Sequence, residues 1–233
     1  MTLRLLDVQQ SILRKNTALA AGLRERFGRS FTFTVNLLSS PGSGKTTLLE
    51  ATLGVLSVKY PVAALVGDQA TENDARRLAR SGAPVKQIST GAECRLDAQM
   101  VTAALEDIPF PQQGVLFIEN VGNLICPAEY DLGEDLRVVV FSVTEGEDKP
   151  LKYPLAFTSS HVAVISKLDL APATGFDRAT ALQNIRTVNP HIDILELSAR
   201  TGEGMEGWIA FLQRRIEAKL EPNFSESLSS SSL

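Results

Sequence analysis

The chain has 233 residues, of which 44% are hydrophobic, and its formal net charge at pH 7 is −4. A chain of this length can bury one substantial core without needing a disulfide scaffold. Its slight acidity and lack of a Lys/Arg cluster argue against a phosphate-backbone partner, so we predict no nucleic-acid binding. No apolar run approaches the roughly 20 residues that cross a bilayer, and the first residues lack a secretory pattern. We therefore expect no membrane association and a cytoplasmic location.

Hydrophobic periodicity predicts the fold class. Leucine and phenylalanine recur at helical spacing near the start of the chain, which predicts an N-terminal helix within residues 1–30. Strand-length apolar runs then alternate with amphipathic stretches, and several are apolar on both faces, as in a covered parallel sheet. These runs are residues 33–38, 62–66, 115–118, 138–143, 162–165 and 192–197.

We therefore predict a doubly wound α/β domain over residues 31–220, with a mostly parallel sheet and helices on both faces. One of these helices is predicted from the apolar spacing of residues 96–105. Residues 221–233 are rich in serine and have little to bury, so we predict a disordered tail.

A glycine-rich loop follows the first predicted strand. A strand, this loop and a helix in succession are the context of a Walker A phosphate-binding loop. Lys45 would supply positive charge to the β- and γ-phosphates, and Thr46 would offer a hydroxyl to Mg²⁺. Ser39 replaces the first glycine of the usual motif. The residues predicted to bind nucleotide here are Pro41, Gly42, Ser43, Gly44, Lys45, Thr46 and Thr47.

Two carboxylates come directly after predicted strands. Asp68 follows the second strand, and Glu119 follows the strand at 115–118. Carboxylates at strand ends, beside bound phosphates, suit Mg²⁺ and an attacking water. We predict Lys45, Asp68 and Glu119 as the catalytic set, and Thr46, Asp68 and Glu119 as the Mg²⁺ set. The sequence leaves open which carboxylate holds the cation and which positions water.

The base-binding residues are predicted near the end of the domain. Lys167 and Asp169 lie in Ser-Lys-Leu-Asp, where GTPases carry Asn-Lys-x-Asp. An aspartate there accepts both guanine donors, which adenine does not offer, and the lysine stem packs along the base. Ser198 and Ala199 are expected to close over guanine. Ser166 in place of asparagine removes an amide that braces the loop, so we expect weaker affinity with guanine preference retained.

Several longer strings extend this pattern. They are residues 67–77, 90–98, 118–128, 131–134 and 145–154. With them the chain resembles, over about residues 5–217, the HypB-type nickel-insertion GTPases of [NiFe] hydrogenase maturation. The resemblance implies a homodimer that forms with GTP and slow hydrolysis of GTP to GDP. It also implies nickel delivery with two partners, a nickel-delivery protein and the hydrogenase large-subunit precursor.

The resemblance also implies a metal site. In the family, a site at the dimer interface uses a Cys-His pair and the cysteine of Cys-Pro-Ala. Cys94 and Cys126 match, but Arg95 stands where histidine is expected. We predict Ni²⁺ or Zn²⁺ bound by both cysteines of both protomers, with Arg95 outside the ligand set. Arg95 either lowers the pKa of the thiols or weakens cation binding by repulsion.

Two other functions remain compatible with the sequence. Ser39, Arg95 and Ser166 together are also compatible with a non-catalytic scaffold that binds nucleotide and partners without turnover. The same GTP switch also fits a chaperone for another metalloenzyme. Two packed thiols without any metal are the plainest interpretation of the cysteines.

Overall fold

The computed structural model describes residues 2–68 and 73–221, with side chains from residue 10 onward. Within these ranges seven parallel strands form one sheet. They are β1 Phe33–Ser39, β2 Val62–Asp68, β3 Val85–Ser89, β4 Val115–Glu119, β5 Leu136–Ser142, β6 Val162–Ser166 and β7 Asp193–Glu196. Their order across the sheet is β3-β2-β4-β1-β5-β6-β7, which places the strand before the glycine-rich loop at the centre.

The strands alternate with helices, as the doubly wound pattern requires. The helices are α1 Thr2–Arg29, α2 Lys45–Leu56, α3 Asn73–Ala79, α4 Ala98–Ala104, α5 Lys149–Lys152, α6 Pro154–Thr158, α7 Ala171–Thr174, α8 Arg178–Val188 and α9 Met205–Leu220. Short 3-10 turns cover Cys126–Glu129, Val143–Glu145 and Leu168–Leu170. Among the described helices, none combines the length and the apolarity that a membrane span requires.

The core has a layer on each face of the sheet, because successive strand residues point to opposite faces. Leu37 of β1 packs in a cluster with α2, α3 and α9, whereas its neighbour Leu38 packs with α6 and α8 on the other face. Leu116 and Ile118 of β4 pack against α1 and α4. All residues of β1, β4, β5 and β6 are buried, which explains their continuous apolar runs.

The predicted fold class is confirmed, including the N-terminal helix. Strand β3 was not predicted; among the described strands it pairs with β2 alone, at the sheet edge, and it is only partly buried. Its sequence, Val-Lys-Gln-Ile-Ser, therefore lacks an apolar run. The helix predicted over residues 96–105 is α4, which starts later because the side chain of Asp97 caps it by accepting from the Met100 N–H. Apart from residue 221, the predicted tail lies outside the described residues.

Parallel pairing brings the carboxyl ends of the central strands to one edge. Leu37 of β1 lies opposite Glu119, the last residue of β4, and Asp68 ends β2 on the far side of β4. The loop after β1 therefore opens beside the acidic end of β4, and the acidic end of β2 lies one strand further along the same edge.

Candidate functional site

A cleft of about 500 Å³ lies at the carboxyl ends of β1, β2 and β4. Gly42 and Gly44 adopt left-handed backbone angles, with φ of 75° and 90°, which glycine accepts without strain. Gly44 immediately precedes α2, so the positive end of this helix opens into the cleft. All the residues predicted from the loop line this cleft. The lining is Ser39, Ser40, Pro41, Gly42, Ser43, Gly44, Lys45, Thr46, Thr47, Gly67, Asp68, Asp74, Arg77, Glu119, Val121, Gly122 and Lys167.

A buried polar triad forms the floor of the cleft. The Thr46 hydroxyl donates to Glu119 Oε1 at 2.5 Å, and Lys45 Nζ lies 3.4 Å from the same oxygen. Glu119 is 2% exposed. Burial raises the pKa of its carboxyl, against the opposing effects of the Lys45 charge and the Thr46 hydrogen bond. The other oxygen, Oε2, is buried and has no hydrogen-bond partner among the described residues.

The oxygen atoms of Thr46 and Glu119 are suitable ligands for Mg²⁺. The cation prefers oxygen ligands, and here a hydroxyl and a carboxylate stand together, the latter with a buried oxygen unsatisfied within the described ranges. Asp68 and Asp74 line the same cleft and add negative charge around it. A phosphate chain beside Lys45 would bring further oxygens of the kind that Mg²⁺ binds.

A second pocket, of about 310 Å³, adjoins the cleft and shares Gly44, Thr47 and Lys167 with it. Asp169 lines it, and its Oδ1 accepts a hydrogen bond of 2.6 Å from the Ser198 hydroxyl. This hydrogen bond holds the Asp169 carboxylate in place, and its other oxygen, Oδ2, can accept from a further donor. Ser198 and Ala199, predicted to cover the base, both line this pocket.

Lys167 joins the pocket to the cleft. Its backbone is left-handed, with φ of 60°, and its Nζ donates to the Gly42 carbonyl at 2.6 Å. The lysine stem thus crosses the glycine-rich loop, where an aromatic base could pack along it.

The structure corrects the expectation for Ser166. We expected a lost brace, but the Ser166 hydroxyl donates to the Ser43 carbonyl at 2.6 Å and to the Phe141 carbonyl at 3.3 Å. The shorter serine reaches the loop because β6 ends directly beside it. Ser39 also needs no glycine-like backbone, since it is the buried last residue of β1.

Glu145, for which no role was predicted from sequence, supports the glycine-rich loop from outside the cleft lining. Its Oε2 accepts from the Ser43 hydroxyl at 2.7 Å and from the Ser142 N–H at 2.8 Å. Burial by itself raises the pKa of Glu145, but these hydrogen bonds and Lys149 outweigh it and hold the pKa below its ordinary value. Its position just past the carboxyl end of β5 was the available signal. On the opposite side, Arg77 donates to the Thr47 hydroxyl at 3.2 Å.

The two cysteines meet near this edge, 32 positions apart in sequence. The sequence analysis predicted two thiolates, whereas the structure joins Cys94 and Cys126 by a disulfide with their Cα atoms 6.3 Å apart. Arg95 points away to Glu93, at 2.5 Å, and stacks over the Tyr130 ring at 3.9 Å. In the described part of the chain, no group of three or more His, Cys, Asp or Glu side chains is placed to hold a metal.

The segment that leads to Cys126 packs directly on the phosphate loop. Asn123 forms an isolated antiparallel bridge with Ser39. A Cβ added at Gly122 would lie 3.1 Å from the Pro41 Cα, so a side chain there would require the two backbones to move slightly apart. Val121 and Gly122 line the cleft itself. The glycine-rich loop is therefore in direct contact with residues 121–123, which lead to Cys126.

Removing the Ser166 brace should loosen the phosphate loop. We expect Ser166→Ala to weaken GDP binding by about 1–2 kcal/mol, because the Ser43 carbonyl loses a buried donor. Isothermal titration measures the Kd. Ser159→Ala is a matched control, since that buried hydroxyl makes no hydrogen bond among the described residues. Equal Kd values for Ser166→Ala and the control would contradict the bracing role.

Comparison with known proteins agrees with this geometry. Residues 33–196 match the family described as CobW/HypB/UreG, nucleotide-binding domain. The hydrogenase maturation factor HypB of Escherichia coli K12 is 49% identical over 210 residues, which are 90% of this chain and 72% of the relative.

Two solved structures are also similar. That of the hydrogenase maturation factor HypB from Archaeoglobus fulgidus is 41% identical, with a TM-score of 0.81 over 87% of this chain and 99% of that one. The structure of HypB from Helicobacter pylori in complex with nickel is 34% identical, with a TM-score of 0.81 over 91% and 99%. On these matches, which span most of its length, the chain belongs to the CobW/HypB/UreG family, on its HypB branch.

Proposed function

We propose that the chain is a GTP-binding and GTP-hydrolysing metallochaperone that assists nickel insertion into [NiFe] hydrogenase. One observation carries the proposal: the segment ending at Cys126 packs on the phosphate loop through Asn123 and Gly122. A change at the phosphates is thereby transmitted to the cysteines. The relatives are hydrogenase maturation factors, and the Helicobacter pylori structure is a complex with nickel, which supports nickel as the cargo.

The nucleotide is proposed to be GTP, in the cleft and the adjoining pocket. The triphosphate lies along residues 41–47, and the base lies between Lys167 and Ala199. Asp169 binds guanine by accepting both of its donors on the carboxylate, and the oxygen that accepts from Ser198 has a second lone pair for this. Adenine presents no matching pair of donors, so the pocket selects guanine.

We expect GTP to bind far more tightly than ATP, and Asp169→Ala to weaken GTP binding by about 2–4 kcal/mol through loss of charge-assisted hydrogen bonds. Competition with a fluorescent GDP measures both affinities. Asp177→Ala serves as the control, because Asp177 caps α8 through Thr180 and lies outside the pocket. Equal affinities for GTP and ATP in the unmodified protein would reject the assignment of the base pocket.

Hydrolysis is assigned to the polar floor of the cleft. Lys45 neutralises charge on the β- and γ-phosphates, while Thr46 and Glu119 hold Mg²⁺. When bound, Mg²⁺ supplies positive charge to the same phosphate oxygens. Asp68, at the end of β2, orients the water that attacks the γ-phosphorus; the bond to the β-phosphate oxygen breaks, leaving GDP and phosphate.

Lys45→Ala should lower turnover by at least about 100-fold, because the transferring group loses its main protein cation. Phosphate release measures the rate. Lys59→Ala, which removes an exposed lysine paired with Glu217, should leave it unchanged. Turnover of Lys45→Ala at the wild-type rate would show that the phosphate loop is misassigned. A wild-type protein that binds GTP without turnover would instead favour the non-catalytic scaffold.

The cysteine pair is proposed as the cargo site in its reduced form. Reduction of the disulfide yields two sulfur ligands, and a two-fold homodimer assembled with GTP brings together four. Arg95, held by Glu93 and Tyr130, stays outside the ligand set. We also propose that Lys149 and Lys152, which follow β5, reach the partner's nucleotide in this homodimer. This requires release of their ion pairs with Glu145 and Asp148 of their own chain.

We further propose that the protein works in the cytoplasm with a nickel-delivery protein and the hydrogenase large-subunit precursor. Zn²⁺ is the competing cation, since tetrahedral sulfur ligation suits it and availability favours it. The domain division proposed from sequence, residues 1–30, 31–220 and 221–233, is retained.

Metal titration of the reduced protein tests the cargo role. The titration is run with GDP and with a non-hydrolysable GTP analogue, and we expect one Ni²⁺ or Zn²⁺ per dimer. The metal affinity and the fraction of dimer should both depend on the nucleotide, because linked binding equilibria influence each other reciprocally. Cys126→Ala should lose the site, while Ile125→Ala, at an exposed neighbour, should keep it. Arg95→His should tighten binding. If Cys126→Ala binds metal as tightly as wild type, the cargo role fails.

A further inference from the structure

Two separate segments bear the cysteines, and buried polar side chains hold both. The first runs from Cys94 into α4, and the second runs from Cys126 to Gly133. Asn120, which is fully buried after β4, accepts from the Leu96 N–H at 3.0 Å and from the Val121 N–H at 3.0 Å. The first segment is thus fixed from the strand side, next to Glu119.

The second segment is held by an ion pair between Arg137 of β5 and Glu134. Arg137 donates to the Ala128 carbonyl at 3.0 Å and to the Tyr130 carbonyl at 2.8 Å, and it also pairs with Glu134. Glu134 in turn accepts from the Leu132 N–H at 2.7 Å. These contacts hold each segment on the sheet, but they do not join one segment to the other.

Asn16 of α1 makes that junction. Its Oδ1 accepts from the Ala98 N–H of the first segment at 2.8 Å, and its Nδ2 donates to the Asp131 carbonyl of the second at 2.8 Å. The side chain is 5% exposed, so water does not readily replace these bonds. Arg24, two turns further along α1, forms an ion pair with the Asp131 carboxylate at 2.8 Å and holds α1 against the second segment.

We propose that Asn16 is a positioning residue for the cysteine pair, through which the N-terminal helix sets the distance between Cys94 and Cys126. Besides the disulfide and the stacking of Arg95 on Tyr130, the Asn16 amide joins the two segments through their backbones, so a displacement of α1 changes their separation. The inference rests on the proposed function in taking the cysteines as the cargo site. Asn16 touches no sulfur and acts only through the two backbones.

A glutathione redox equilibrium tests the positioning without metal. In this equilibrium one molecule of oxidised glutathione reacts with the two protein thiols. The products are the protein disulfide and two molecules of reduced glutathione, whose sulfur atoms take up the two protons. The equilibrium constant measures the effective concentration of one thiol at the other. Asn16→Ala should lower it by about tenfold, because both bridging hydrogen bonds are lost. Thiol labelling and mass spectrometry measure the ratio.

Three variants complete the design. Asn16→Asp keeps the side-chain shape and the acceptor for Ala98 but replaces the donor to Asp131, so a similar fall is expected even if Asn16→Ala does not fold. Thr17→Ala, exposed on α1, and Asn189→Ala, whose amide binds the Phe157 carbonyl at 3.0 Å, are controls expected to match wild type. GDP affinity should be unchanged in both Asn16 variants.

The outcomes separate the two proposals. An unchanged equilibrium in the Asn16 variants that fold, or an equal fall in Asn189→Ala, overturns the positioning role. Zn²⁺ titration of the same reduced proteins then reports on the cargo site. If wild type binds no Zn²⁺ or Ni²⁺ while the Asn16 variants still lower the effective concentration, the cargo role fails and the positioning role stands.

Discussion

The parallel pairing of β1 with both β4 and β5 is the constraint on which the rest of the structure depends. It sets Leu37 opposite Glu119 on one side and opposite Val138 on the other. Adjacent strands lie about 4.8 Å apart, so groups at their carboxyl ends come within reach of one loop. Thr46 thereby meets Glu119 from one side, and Ser43 meets Glu145 from the other. The cleft opens on the Glu119 side of this loop, at the carboxyl ends of β1, β4 and β2.

The charges at this edge offset one another before any ligand binds. A buried carboxylate without a partner costs several kcal/mol, and Lys45 with Thr46 reduces that cost for Glu119. The same groups are proposed to hold phosphate and Mg²⁺, so binding exchanges one set of charge pairs for another. Glu145 differs, since its hydrogen bonds hold it ionised and fixed against the loop. In the proposed function Glu119 therefore exchanges partners when nucleotide binds, whereas Glu145 supports the glycine-rich loop through Ser43.

From the cleft, a series of close contacts extends to the cysteines and to α1. Gly122 and Asn123 lie on the phosphate loop, the disulfide follows at Cys126, and Asp131 receives the amide of Asn16. Close-packed protein interiors shift between discrete arrangements and do not deform continuously. In the proposed function, a nucleotide-dependent change reaches the cysteine pair along these contacts, and Asn16 ties α1 to the segment beyond Cys126.

The sequence by itself determined the elements whose signals are local. The glycine-rich loop, the strand-end carboxylates Asp68 and Glu119, and the positions of Lys167 and Asp169 all follow from short strings or apolar runs, because their backbone requirements lie within a few residues. Only the tertiary structure decided the contacts between distant segments. Ser166 braces Ser43 across 123 positions, and Asn16 reaches Asp131 across 115. No local periodicity encodes such pairs, since a buried polar side chain is explained only by the partner that the fold brings to it.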